Sequence, residues 1–365
     1  MRVLFYVGDK QWSGSARAML AAARGLAGRG HQVTLACCGG SLLEGAARAN
    51  EIETIAVNAT ANPVSGAFDL RRVLAERFVE VALVGSERDH LIVASAMRFA
   101  ERGAVLRRLA ASRELELQAG GKLALRLAAA GLIVSTDREL REARAPGWTI
   151  PAAVVPLGVD PSQYDGVEPA TWHEMGVPPQ AMIIACNYDP SGRYRMGVVF
   201  RTLALLAPRH LNVHAVVFGP GAADDDLRMH AAALGVTSIV SFLGDSDDSR
   251  RVMRAAHAGW VVSGSDAGAF ACLDFMALRV PVIAERSPLT QQYVADGITG
   301  ILLAPGDASY TASSVTRFLM DGDRRIAMGN AGRTRTQRDF SQTAMIDGFE
   351  RAVTAAGDRT KWTIR

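Results

Sequence analysis

Cysteine is rare in this chain: Cys37, Cys38, Cys186 and Cys272 are all it has, and none shows metal-ligand spacing. Cys37 and Cys38 are adjacent and fit the end of a buried strand, so reduced structural thiols are expected and a disulfide scaffold is excluded. An excess of one charge sign is also missing. Forty Lys and Arg against 37 Asp and Glu leave a formal net charge of +3. That is too little to make nucleic acid the main partner, and a pI near 8.8 leaves room only for a local basic patch. No apolar run approaches the ~20 residues of a membrane span. The opening residues, MRVLFYVG, read as a strand and not as a targeting segment, so a cytoplasmic protein is expected. Low-complexity segments and short-period repeats are lacking too. What is present is 49% hydrophobic and 21% charged residues, with 35 Gly and 14 Pro, the balance of a soluble globular protein. At ~150 residues per domain, 365 residues suggest two domains.

The first forty residues set the architecture. Residues 3–7 form an apolar run suited to a strand buried on both faces, 8–15 a polar loop with Gly14, and 16–28 a helix ended by Arg29-Gly30-His31. A second strand at 32–38 completes a βαβ unit. Further strands are expected at 54–57, 79–84, 103–106 and 132–135, with a helix over 115–130. Four prolines between 161 and 180 mark a boundary region. A second series follows, with strands at 182–186, 213–218, 239–243, 259–263 and 280–284, and helices at 198–207, 227–234, 248–256 and 270–278. Alternating strands and helices imply α/β domains with parallel sheets, whose ligands sit beyond the carboxyl ends of the strands. Two such faces are expected to meet across a cleft. No G-x-G-x-x-G follows the first strand, which disfavours a nicotinamide enzyme.

Several short segments occur in a telling order. They are Gly14-Ser15-Ala16-Arg17 after the first strand, LAGRGHQVT at 26–34, VPLGVD at 155–160, Phe242-Leu243-Gly244, and DGITG at 296–300. The most informative is SDAGAFACLDFMALRVPVIA at 265–284. Together they resemble the retaining glycosyltransferases of the two-Rossmann GT-B fold that carry an E-x7-E motif (glycosyltransferase family 4-like). The resemblance implies an acceptor-side Rossmann-like domain, 1–158 with 340–365, and a nucleotide-sugar-binding one, 159–339. Aligning Pro281-Val282-Ile283-Ala284 puts Asp266 and Asp274 at the two glutamates, each one methylene shorter.

That resemblance implies a site. A turn over 266–269 would lead into a helix beginning near Phe270, presenting backbone N–H groups of Gly268, Ala269 and Phe270 to a pyrophosphate. Asp274, one turn into that helix, would take the ribose hydroxyls and Asp266 the donor sugar. The ordinary alternatives are an N-cap at Asp266 and a solvated Asp274. The family's Arg and Lys for the pyrophosphate correspond to the stretch holding Arg193, Arg195 and, at the Lys position, Met196. Either arginine could bind phosphate through its guanidinium, or both could be solvated loop residues. Gly14 and Ser15 would add N–H groups from the first domain. The family's His near the reacting sugar has no counterpart, and Arg107 or Arg108 would take its place on the acceptor side. His90 reads as a surface or cap residue. The Asp224–Asp226 triplet and Asp245, Asp247 and Asp248 read as helix starts and loop, not as a metal site. Base recognition would fall around 243–246. Basic residues at 98, 102, 107, 108, 113, 122 and 126 suit a solvated or acceptor-phosphate face, or peripheral membrane contact.

The resulting expectation is a metal-independent, retaining glycosyltransferase without a cofactor. Its substrate is a nucleotide-diphosphate sugar such as a UDP- or GDP-sugar, and its acceptor is a glycan, a lipid-linked or a small molecule. The alternative is a non-catalytic GT-B partner or scaffold in a glycosylation pathway, motivated by the departures at 196, 266 and 274.

Overall fold

The computed structural model describes residues 1–58, 63–109, 129–144, 151–206, 212–244 and 249–363. They fall into two compact units, Met1–Leu157 with Gln342–Arg365, and Gly158–Ser341.

The first unit holds β1 (Arg2–Val7), α1 (Gly14–Gly28), β2 (Gln32–Cys38), α2 (Leu42–Ala49), β3 (Glu53–Val57), α3 (Pro63–Glu76), β4 (Val81–Val84), α4 (Glu87–Ala100), β5 (Ala104–Arg108), β6 (Ala129–Val134), α5 (Asp137–Arg144) and β7 (Ala152–Val154). The seven strands pair in parallel in the order β3-β2-β1-β4-β5-β6-β7. Val3, Leu4, Phe5 and Tyr6 are all buried, without the alternation of a one-sided sheet, because helices cover both faces. α1 forms where Ser13 caps the N–H of Ala16 at 3.1 Å. It stops where Gly30 turns left-handed (φ 84°): Gly30 N–H donates to Ala27 O and His31 N–H to Leu26 O, closing the last carbonyls.

The second unit holds β8 (Met182–Asn187), α6 (Arg193–Leu206), β9 (Val213–Phe218), α7 (Asp225–Ala233), β10 (Val240–Gly244), α8 (Ser249–Ala255), β11 (Ala258–Val261), α9 (Asp266–Ala277), β12 (Val282–Glu285), α10 (Pro288–Tyr293), β13 (Gly300–Leu303), α11 (Ala308–Met320) and α12 (Gly322–Asp339). Its six strands are also parallel, in the order β10-β9-β8-β11-β12-β13. Met196, Phe200, Val217, Trp260 and Phe318 belong to its core. The last helix, α13 (Gln342–Thr363), returns to the first unit, where Ile346 fills the space over Gly25 and Arg29 pairs with Asp347 and Glu350.

The differences from the sequence reading have local causes. α6 starts at Arg193, not 198, because Asp189 accepts the Ser191 N–H and nucleates a 3-10 turn that runs straight into the helix. Residues 129 and 130, read as the end of a helix, open β6. The rest of that expected helix lies outside the described residues, as do Asp245, Asp247 and Asp248. β7 and β13 were not anticipated: the first is three residues long, and the second is bounded by polar turns that mask its apolar run.

α9 is buried on every side except at Ala267, so its packing sets the geometry of the second unit. Gly259 of β11 lies directly under it: a Cβ there would sit 2.3 Å from the Phe275 ring. Gly259→Ala is therefore expected to destabilise the protein by about 1–3 kcal/mol through overpacking. Chemical denaturation monitored by circular dichroism checks this; an unchanged midpoint would show that β11 and α9 can separate without cost.

Candidate functional site

In an open parallel sheet, ligand crevices form at the carboxyl edge where the strand order reverses, since the two loops there leave in opposite directions. The reversal lies between β8 and β11 in the second unit and between β1 and β4 in the first.

In the second unit, β8 runs out through Tyr188 and Asp189, and β11 through Val262, Ser263, Gly264 and Ser265. The Ser265 hydroxyl binds these loops together. It accepts the Ala267 N–H at 3.2 Å, lies 2.9 Å from the Ser263 hydroxyl, and donates to the Asp189 carboxylate at 3.4 Å. Ser265, not Asp266, is therefore the cap of α9, and the helix begins at Asp266 instead of near Phe270. This corrects the expected turn over 266–269. Asp266 occupies the first helical position, 1% exposed, while Ala269 and Phe270 are inside the helix and buried in the core. Gly268 is required by contact: a Cβ would fall 2.2 Å from the Ser263 carbonyl oxygen. Its N–H, and that of Ala269, donate to the Ser265 carbonyl, so these two groups are spent within the helix. What faces the crevice is the positive end of the helix as a whole.

Asp266, Phe270 and Asp274 stand four apart, on one face of α9. Asp274 lies eight residues past the helix start, and it is buried, not solvated. Its carboxylate accepts the hydroxyl of Tyr164, whose ring lies 4.6 Å from the Arg250 guanidinium carbon. Arg195 projects from the first turn of α6. Its Nε donates to Glu285, at the end of β12, at 3.3 Å, and its outer nitrogens lie over Gly264, where a Cβ would meet Nη1 at 2.8 Å. Arg193 points elsewhere: it is exposed and pairs with Asp226 at 2.6 Å. Met196, at the Lys position, is fully buried on the inward stripe of α6 with Val199, Phe200 and Leu203. The expected residues Arg195, Asp266 and Gly268 thus gather at the start of α9, whereas Arg193, Ala269 and Phe270 do not face it. Of 243–246, only Leu243 and Gly244 lie within the described residues, in β10.

In the first unit, Gly14 and Ser15 form the first turn of α1, and a Cβ at Gly85, after β4, would lie 3.0 Å from Ser15 Oγ. The carboxylate of Asp89 accepts the Gly8 N–H at 3.2 Å across the reversal point. Burial pushes the Asp89 carboxyl above its usual range, with the Gly8 and Ser86 hydrogen bonds opposing. His90 is fully buried, which overturns its reading as a surface or cap residue; it lies on the inner side of the first turn of α4. Arg107 and Arg108 end β5 and are 1% and 0% exposed, so they are not part of a solvated face; Arg108 donates to the Ser135 hydroxyl at 3.3 Å. Of the basic run, residues 113, 122 and 126 lie outside the described residues. Asp224 to Asp226 head α7, with Asp224 as its cap residue.

Tyr164, Glu285 and Asp89 were not singled out from the sequence. Only Asp89 carried a readable signal, the Ser86-x-x-Asp89 start of α4, in which Ser86 Oγ accepts the Asp89 N–H at 3.1 Å.

Residues 194–335 match the family described as Glycosyl transferases group 1. The chain is 28% identical over 158 residues to the lipopolysaccharide core biosynthesis glycosyltransferase LpsE of Rhizobium meliloti, covering 43% of this chain and 46% of that one. It is 30% identical over 215 residues to a D-inositol 3-phosphate glycosyltransferase of Actinosynnema mirum, covering 55% and 52%. The chain thus spans about half the length of these curated relatives. Among solved structures, Anabaena HepE in complex with UDP-glucose superposes with a TM-score of 0.81 at 15% identity, covering 97% of this chain and 100% of that one. At that identity the likeness is one of fold, two Rossmann-like parallel-sheet domains.

The Asp89 environment makes a pH prediction. A carboxyl whose folded pKa is raised costs stability once both states are ionised, and that cost is relieved as pH falls through the folded pKa. Asp89→Asn is expected to raise Tm at pH 7, with the gain shrinking as pH falls through the raised folded pKa and gone once pH is below the ordinary carboxylate value. Thermal scans from pH 7 down to about 3 test it; a gain independent of pH would contradict it.

Proposed function

We propose, from the match of residues 194–335 to the group 1 glycosyl transferases, that this protein moves a sugar from a nucleotide-diphosphate donor to an acceptor hydroxyl, with retention and without a metal. The observation that carries the reading is the start of α9, where a buried helix presents its positive end beside the Arg195 guanidinium. The matched segment includes both features. The fold neighbour HepE, solved in complex with UDP-glucose, supports a nucleotide-sugar donor, which we take to be a UDP- or GDP-sugar.

In this reading the diphosphate lies against the α9 terminus and Arg195, Asp266 holds donor-sugar hydroxyls, and Asp274 with Tyr164 shapes the ribose end. Gly14 and Ser15 present the first unit's N–H groups, and that unit takes the acceptor, a glycan, a lipid-linked or a small molecule. The anomeric carbon loses its bond to the diphosphate oxygen and gains one to the acceptor oxygen on the same face. The leaving phosphate oxygen takes the acceptor's proton, so no separate base is needed. The chain supplies position and charge stabilisation. Among the described residues no helix is long and apolar enough to cross a membrane. We place the protein in the cytoplasm, touching a membrane surface only where its acceptor is lipid-linked.

Two observations favour a second reading, a non-catalytic partner of a glycosylation pathway. Met196 is buried where an ammonium would neutralise the leaving group, and Asp274 is engaged by Tyr164. Hydrolysis and transfer assays with UDP- and GDP-sugars separate the two. Turnover by the wild type, lost by about 100- to 1,000-fold in Arg195→Ala and strongly reduced in Asp274→Ala, is expected of the enzyme. Absence of UDP and GDP binding at millimolar concentration would overturn the donor reading altogether.

A further inference from the structure

A guanidinium on a flexible stem stabilises an anion well only if its orientation is fixed beforehand, because otherwise binding has to order it. Arg195 stands in the first turn of α6, with its side chain 29% exposed, yet two features fix its direction. Its Nε–H donates to Glu285 Oε1 at 3.3 Å, from a carboxylate that is itself only 21% exposed at the end of β12. Its outer nitrogens occupy the space a side chain would fill at residue 264, and Gly264 leaves that space open. Using Nε for Glu285 leaves the Nη edge, the edge that can bind a phosphate bidentately, over the backbone that leads into Ser265 and Asp266. Glu285 is anchored in turn: its carbonyl accepts the Thr290 hydroxyl at 2.7 Å, tying the end of β12 to the first turn of α10.

We propose that Glu285 and Gly264 are positioning residues for the donor diphosphate, acting through Arg195: Glu285 sets the guanidinium's orientation and Gly264 gives it room at the start of α9. This rests on the donor reading above and extends it to two residues that would not themselves contact the sugar. It also explains how a single cation serves where the buried Met196 offers none. Arg193 cannot share the task in this arrangement, since Asp226 holds it away.

The proposal separates orientation from charge. Glu285→Ala removes the charge and the acceptor for Nε together, whereas Glu285→Gln keeps an acceptor oxygen for Nε while removing the negative charge. Gly264→Ala keeps both partners but places a methyl 2.8 Å from Nη1, a position that only the flexible end of Arg195 has to vacate, so the fold is retained. Isothermal titration of each variant with UDP and GDP, and in parallel with uridine and guanosine, reads the effect on the diphosphate alone. The expected result is about a tenfold weaker diphosphate affinity for Glu285→Ala and Gly264→Ala, near-wild-type affinity for Glu285→Gln, and unchanged nucleoside affinity throughout. In an Arg195→Ala background, Glu285→Ala is expected to add nothing. Tighter diphosphate binding by Glu285→Ala would overturn the proposal, since Glu285 would then be only a competing charge. Equal losses for nucleoside and diphosphate would also overturn it, by showing a general structural role. If the wild type binds neither UDP nor GDP, the donor reading itself has failed, which is a different outcome from either.

Discussion

The packing of α9 against β11 is the constraint on which the second unit depends. Two glycines set it: Gly259 admits the Phe275 ring, and Gly268 lets the first turn of the helix rest on the Ser263 carbonyl. The far end is held by arginines, with Arg333 donating to the Ala277 carbonyl at 2.7 Å and Arg254 to that of Leu278 at 3.1 Å. Cations there complement the negative end of the helix. A helix held at both ends and buried along its length keeps its positive end at the point where the strand order reverses.

Electrostatic economy follows from that placement. Asp189, Asp266 and Glu285 stand around the start of α9 as well as Arg195, so the positive contribution there depends on orientation more than on the number of cations. The first unit repeats the geometry with different chemistry. There the reversal point is spanned by a buried carboxyl, Asp89 on the Gly8 N–H, with the Cys38 thiol donating to the Gly8 carbonyl at 3.0 Å. The two units share a topology but differ in the side chains that span their reversal points.

The sheets were readable from the sequence because their strands are buried on both faces and so appear as unbroken apolar runs, as in 3–7 and 213–218. Where a strand carries charge, the reading stopped short. β5 extends through Arg107 and Arg108, and two buried guanidiniums are not part of any strand pattern. The helix boundaries at the site were also misplaced, because DAGAF at 266–270 has the small residues of a turn while Ser265 caps a helix there. Asp266 and Arg195 could be named from spacing within the family-like segment. The partners that define them could not: Glu285 is 90 residues from Arg195, and Tyr164 is 110 from Asp274. Arg195 meets Glu285 because the parallel sheet brings the ends of β8 and β12 close regardless of distance along the chain, and Tyr164 meets Asp274 because the turn at Pro161–Tyr164 packs on α9.

Crystals soaked with UDP or GDP test whether the start of α9 is the diphosphate site. Diphosphate density is expected against Ser265 and Asp266, with the Arg195 Nη atoms at hydrogen-bond distance. Density for the diphosphate elsewhere on the second unit, with Arg195 still turned to Gly264 and Glu285 and nothing beside it, would contradict it.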